Sequence, residues 1–263
     1  MDQRACSDTL FHVLNNCAFA SPLTTEEKAA NALAGGILHY RYQCGMIWGA
    51  ALAAGAQAWR LMGSGPRAEA SAIQAARRLV DSFRELNQQV DCADLTGLEP
   101  SANALQLTTY FLLKGGTLGC FRMAANYAPV AFSEINAALG AEEPDLPAPP
   151  LSCAALLAQK LGVSEMHVVM AAGLAGGIGL SGGGCGALGA AVWIKGMQRP
   201  EQGGRLDQKG PEARLLIERF LAATGGRFEC AAITGRRFES LAEHAAWLRE
   251  DGCARVIDAL AES

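Results

Sequence analysis

Cys185 stands alone in GGIGLSGGGCGALGAA, residues 176–191, with no second cysteine at CxxC spacing. A solitary thiol among glycines is most often a small buried hydrophobe, and its position alone assigns it no chemistry. Its place in a longer pattern does. Gly176-Gly177 is followed by Ile178 and, eight residues after Gly177, by Cys185-Gly186; Gly35-Gly36 is followed by Ile37 and, eight after Gly36, by Cys44-Gly45. DCADLTG at 91–97 answers to ECAAITG at 229–235, and Gly119-Cys120 to Gly252-Cys253. Asn16-Cys17-Ala18 and Ser152-Cys153-Ala154 open the two series. Eight of the nine cysteines thus form two ordered sets, Cys17, Cys44, Cys92 and Cys120, then Cys153, Cys185, Cys230 and Cys253, with Cys6 left over. Most of the sequence between them has diverged. Packing alone would have let alanine, serine or valine replace several of these thiols, so a joint chemical role for each set is the stronger reading.

Four thiolates match the ligand count of a [2Fe-2S] or [4Fe-4S] cluster, although ferredoxin-type local spacing is absent. They equally suit Zn²⁺ or Cu⁺, or two dithiol pairs that exchange with disulfides without metal. A helical scaffold whose cysteines merely pack is the non-chemical alternative. Cys44 and Cys185 sit where a loop enters a helix, and the free amides and positive dipole end there predict a lowered thiol pKa. The following Gly45 and Gly186 let a backbone or a compact inorganic group, the cofactor, come close. In HYRYQC, Arg41 precedes Cys44 where the other set has glycine and serine. A cation there raises a cluster's potential or receives an anion, so the two sites are expected to differ. His12, His39, His167 and His244 share no register between the halves and read as surface or locally satisfied histidines rather than ligands.

The chain has 263 residues, half of them hydrophobic, and a formal net charge of −4. Without a basic block or stripe it lacks the footprint of a nucleic-acid binder. The opening MDQRACSDTL has no apolar core of signal-peptide length, which predicts a cytoplasmic protein. In that reducing setting dispersed cysteines mean metal, redox chemistry or packing rather than structural disulfides. Residues 168–194 carry no charge and exceed the ~20 residues of a membrane helix. Gly182-Gly183-Gly184 would break such a helix in mid-span, so no membrane span is predicted. The GxGxxG-like text at 177–184 lacks the preceding strand that would make it a dinucleotide signal.

What must position the thiols is helical. Thr24-x-x-Glu27 reads as a capping box and Ser164 as an N-cap, each ahead of an apolar stretch that runs into a Gly-Gly stop. Residues 66–89 and 211–223 alternate apolar and polar residues at helical spacing, and no alternating strand is evident. GAEEPDLPAPP at 140–150 concentrates proline as a linker does. The expected fold is all-α: a first four-cysteine repeat at 8–136, a proline-rich linker at 137–149, and a second repeat at 150–262, packed as a bundle-like, pseudo-twofold pair.

With the cysteine order in view, each half resembles the redox-active family named for its pattern C_GCAxxG_C_C, and the resemblance covers nearly the whole chain as tandem copies. The family's CGAxxG element falls on Cys44, Gly45, Met46 and Gly49, with Met46 replacing alanine. In the second copy it falls on Cys185, Gly186 and Ala187, with Gly189 one place early and Ala190 where the last glycine belongs. The resemblance implies a redox role. The domain is also similar to one in certain multihaem cytochromes for which an iron-sulfur centre has been proposed; no C-x-x-C-H is present, so no covalent haem is expected. The leading expectation is an iron-sulfur cluster on each set, for electron transfer or redox sensing, with a redox protein as partner and a homodimer as an open option.

Overall fold

The computed structural model describes residues 5–99, 102, 105–106, 109–113, 115–141, 146–199 and 203–262. Among them no strand occurs beyond two isolated bridges, and the fold is all-α. In the first unit the helices are α1 (Cys6–Phe11), α2 (Thr24–Ala30), α3 (Gly45–Met62), α4 (Pro66–Asn87), α5 (Cys92–Thr96) and α6 (Gly116–Leu139). In the second they are α7 (Cys153–Lys160), α8 (Glu165–Ala172), α9 (Gly186–Met197), α10 (Pro211–Thr224), α11 (Cys230–Thr234), α12 (Leu241–Arg249) and α13 (Ala254–Ala261). No helix among the described residues is long and apolar enough to cross a membrane.

The order is that of a repeat, and local sequence explains most boundaries. Pro66 and Pro211 open α4 and α10, and Gln88 and Gly225 close them in the left-handed conformation. Ser164 caps α8 by accepting from the His167 amide. The capping box expected at Thr24 does not form: α2 begins at Thr24 with Leu23 as its cap, and no side chain caps it. The carboxylate of Glu27 turns instead to His12, 2.9 Å away, and to Asn16.

Helices α3 and α9 are apolar on every side, as only central helices can be; residues 45–58 of α3 are all buried. Each crosses a helix of the other unit, α3 against α8 and α9 against α2. The crossings are equivalent. A methyl at Gly55 would lie 2.5 Å from the Met170 Cα, and one at Gly196 would lie 3.3 Å from the Ala29 Cα. The indole of Trp48 reaches the second unit at Gly189, where a Cβ would come within 2.2 Å of the ring. This explains the early glycine of the second motif. The indole nitrogen of Trp193 donates to the Glu26 carbonyl across the same interface, at 3.1 Å. The units therefore share one core. Because backbone lies opposite Gly55 and cannot swing away, Gly55→Ala should cost about 2 kcal/mol, with Gly196→Ala costing less. Urea unfolding of the two variants checks the order.

Candidate four-thiol redox centres

A left-handed turn precedes the second cysteine of each unit. Gly35, Gly36, Ile37, Leu38 and His39 have φ between 48° and 74°, and Gly176, Gly177, Ile178, Gly179 and Leu180 between 58° and 80°. Consecutive left-handed residues strain an L-chain by ~1–2 kcal/mol each, which glycine avoids. The turn is fixed by matching bonds, Leu38 N to Ala32 O at 2.8 Å and Gly179 N to Gly173 O at 2.9 Å. The text at 177–184 that resembles a dinucleotide fingerprint is this turn.

The chain then runs antiparallel to a distant segment for one bridge, Gln43 with Asp91 in the first unit and Gly184 with Glu229 in the second. Cys44 N donates to Val90 O (2.7 Å) and Cys92 N to Tyr42 O (2.8 Å); Cys185 N donates to Phe228 O (3.0 Å) and Cys230 N to Gly183 O (2.6 Å). Thus one short bridge sets the second and third cysteines side by side, each where a helix starts: Cys44 caps α3, Cys92 opens α5, Cys185 caps α9 and Cys230 opens α11. Cys120 lies in the first turns of α6 and Cys253 caps α13.

The first cysteine of the first unit is Cys6, not Cys17. Cys6 opens α1 as Cys153 opens α7, and it lines a cavity of about 350 Å³ together with Cys44, Cys92, Cys120, Arg41 and Tyr110. Cys17 is exposed, within a π-helical segment at His12–Ala18, and is not part of that lining. The reason is the packing of α1 on α3. A Cβ at Gly49 would meet the Ser7 carbonyl oxygen at 2.1 Å, and one at Gly45 would meet the Cys6 sulfur at 2.7 Å. Two glycines one turn apart therefore let the start of α1 descend onto the cluster of thiols. Gly186 does corresponding work against the carbonyl of Leu174, and Ala190 is buried where Gly49 has its counterpart.

All nine cysteines are free, and within each set every thiol feels its neighbours. The acidic thiols are not those at the helix caps. Cys6 is lowered to about 7, first because Cys44 donates a hydrogen bond to it, against the opposing effect of burial. Cys44 in turn is pushed well up by that bond and by burial. In the second unit Cys153 is held well below the ordinary thiol value by Cys253 and then by His244, against the opposing effect of burial, while Cys253 is pushed up. Burial raises Cys185 to about 12 and Cys120 to about 11, and raises Cys92 and Cys230 too. The helix dipole at Cys44 and Cys185 is thus overridden by desolvation and by the neighbouring sulfur. Alkylation of the metal-free protein by iodoacetamide should accordingly rise through pH ~7 at Cys6, and in Cys44→Ala, which removes the donor, the midpoint should move upward. Peptide mapping of a pH series reads both.

Arg41 is the distinctive residue of the first centre. It is 4 % exposed, holds φ at 69° where the second unit has Gly182, and its Nη1 lies 3.7 Å from the Cys92 sulfur. Its Nε has no hydrogen-bond partner. His39 beside it is held below the usual imidazole range by burial, then by Arg41 and Lys209.

A profile of the family described as "Putative redox-active protein (C_GCAxxG_C_C)" matches residues 4–131 and again 152–263. The chain belongs to this family. It carries two tandem copies of the C_GCAxxG_C_C domain, and the first begins early enough to include Cys6. No curated protein and no solved structure matches the chain significantly.

One further residue escapes a sequence reading. His244, expected to be a surface or locally satisfied histidine, is fully buried. Its Nδ1 lies 2.9 Å from the Leu151 carbonyl, and its Nε2 is buried. Burial lowers its pKa, but the adjoining Cys153 outweighs this and the net shift is upward.

Proposed function

We propose that the protein is an electron carrier or redox sensor whose units each hold an iron-sulfur cluster, on Cys6, Cys44, Cys92 and Cys120 and on Cys153, Cys185, Cys230 and Cys253. The observation that carries the reading is what the units share. Both set a cysteine at or near the start of four corresponding helices in the same order, and in the first unit all four line one cavity. A dithiol mechanism uses two of these thiols at a time; a four-ligand centre gives all four a role. The donor set also fits the group. Among the described residues no three Cys, His, Asp or Glu side chains stand together as a ready metal site, so the thiols of either set must close in when a metal centre binds. A [4Fe-4S] cluster gives each of four thiolates its own iron and a [2Fe-2S] cluster gives two thiolates to each iron, and the four sulfurs of the first unit line one cavity of about 350 Å³.

When bound, such a cluster supplies one-electron transfer. The chain's part is to orient the thiols through the bridges, to exclude water with the apolar walls of α1, α3 and α6, and to place the Arg41 charge beside Cys92. That fixed charge favours the reduced, more negative state. Gln43, next to Cys44, donates to the Gly177 carbonyl at 2.8 Å and lies against Gly183 and Gly184, next to Cys185. Gln43 thus packs between the two sets of thiols. A reducing cytoplasm, which keeps free thiols reduced, and a redox protein as partner suit this reading.

Anaerobic reconstitution of the full chain with ferrous iron and sulfide should give a brown protein with iron and sulfide in equal amounts and absorbance that bleaches on reduction. A colourless, iron-free product overturns the proposal. If that product also loses free thiols reversibly on mild oxidation, metal-free thiol-disulfide exchange becomes the function.

A further inference from the structure

The two sets of thiols approach each other at their bridges, and one residue from each bridge reaches across the boundary between the units. Tyr42, whose carbonyl accepts from the Cys92 amide at 2.8 Å, lays its ring on that of Phe228, whose carbonyl accepts from the Cys185 amide at 3.0 Å. The ring centroids are 4.3 Å apart and the planes 3° from parallel. Tyr40 also stacks on Phe228, at 5.1 Å. Nearby, the Gln43 amide donates to the Gly177 carbonyl at 2.8 Å and to the Ser181 hydroxyl at 3.0 Å, and it fills the space that Gly183 leaves open. Phe228 is 4 % exposed and Gln43 1 %, so packed side chains occupy the boundary here. Covering the interface does not by itself call for rings. The corresponding residues across the pseudo-dyad are Gly183, which accepts from Cys230, and Val90, which accepts from Cys44. The stack is therefore present on one side only, and each of its two partners stands one hydrogen bond from a cysteine of its own unit.

Resting on the cluster reading above, we propose that the two centres exchange an electron directly, with the Tyr42–Phe228 stack as the contact between them, so that the chain is a two-centre relay rather than a pair of separate carriers. Electron exchange falls steeply with distance and passes better through bonded and close-packed atoms than through solvent. One electron, supplied by the redox partner protein, leaves the reduced second centre and arrives at the oxidised first, and no bond or proton changes place. The Arg41 charge beside Cys92 sets that direction, because it favours the reduced state of the first centre.

The test uses the full chain, reconstituted anaerobically with ferrous iron and sulfide, fully reduced with dithionite and examined by electron paramagnetic resonance. Cys153→Ser and Cys6→Ser, each loaded at one centre, supply the spectra of the first and second centres alone. The wild type should differ from the sum of these two spectra, through an isotropic exchange interaction between the centres and faster spin relaxation. That exchange should be lost in Phe228→Leu at unchanged iron content, since leucine retains apolar volume and removes the ring; Tyr42→Leu removes the other half of the stack should the first variant fail to fold. A wild type that carries both centres and gives the plain sum overturns the relay without harm to the cluster reading and without reliance on the stack variants. Exchange that survives loss of the stack overturns it as well. A protein that takes up no iron ends both.

Discussion

With the proposed cluster in each unit, Cys6→Ser should halve the iron and sulfide bound per chain on reconstitution, whereas Cys17→Ser should leave both amounts unchanged. The reason is position. Cys6 lines the first cavity with Cys44, Cys92 and Cys120, and its sulfur is the one that Gly45 leaves room for. Cys17 is exposed on a separate segment. Serine is nearly isosteric with cysteine and a far poorer ligand for iron, so the Cys6 effect should appear as lost metal with little change in the unfolding of the metal-free protein. Metal analysis and absorbance of the reconstituted variants are sufficient. The reverse result, iron lost with Cys17 and kept with Cys6, would show that the first unit uses a different set of ligands.

Gly186→Ala should destabilise the chain by about 3 kcal/mol or more, the upper range for a single added methyl. The new Cβ would lie 1.7 Å from the Leu174 carbonyl oxygen. That oxygen belongs to backbone that accepts the Ile178 amide at 3.0 Å in the left-handed turn, so it cannot retreat without undoing the turn. Alanine in a helix is otherwise favoured over glycine by ~1 kcal/mol, and the clash must exceed that gain to be seen. Gly97→Ala is the comparison: nothing lies within 4 Å of its Cβ and only its φ of 64° opposes the change, so about 1 kcal/mol is expected. Chemical denaturation of the metal-free forms measures both. Equal stability of Gly186→Ala and wild type would mean that the helix entry relaxes freely.

Much of this arrangement is legible in the chain. The all-α class follows from helical periodicity and from the want of alternation, and six of the eight grouped thiols lie at positions that recur between the halves. The first thiol does not. Asn-Cys-Ala resembles Ser-Cys-Ala, which favours Cys17, and spacing is indifferent: Cys153 precedes Cys185 by 32 residues, Cys17 precedes Cys44 by 27 and Cys6 by 38. The informative signal lies on the C-terminal side of each cysteine. Leu10 stands four after Cys6 as Leu157 stands four after Cys153, whereas Pro22 comes soon after Cys17 and bars a helix. The acidity of the thiols is not legible, because a helix terminus is visible in sequence but desolvation and a neighbouring sulfhydryl depend on packing. His244 is hidden for a related reason. The long α6 of the first unit is answered by two short helices in the second, so no register links His244 to anything upstream.

The crossings at Gly55 and Gly196 bear on ancestry. A lone copy of this domain would expose a wholly apolar helix, and the natural cover is another identical copy related by a dyad. In such a homodimer any mutation is imposed on both sides at once. Joining the copies in one polypeptide removes that compulsion: an arginine can replace a glycine on one side, and an imidazole can enter on the other, with the shared interior left as it was.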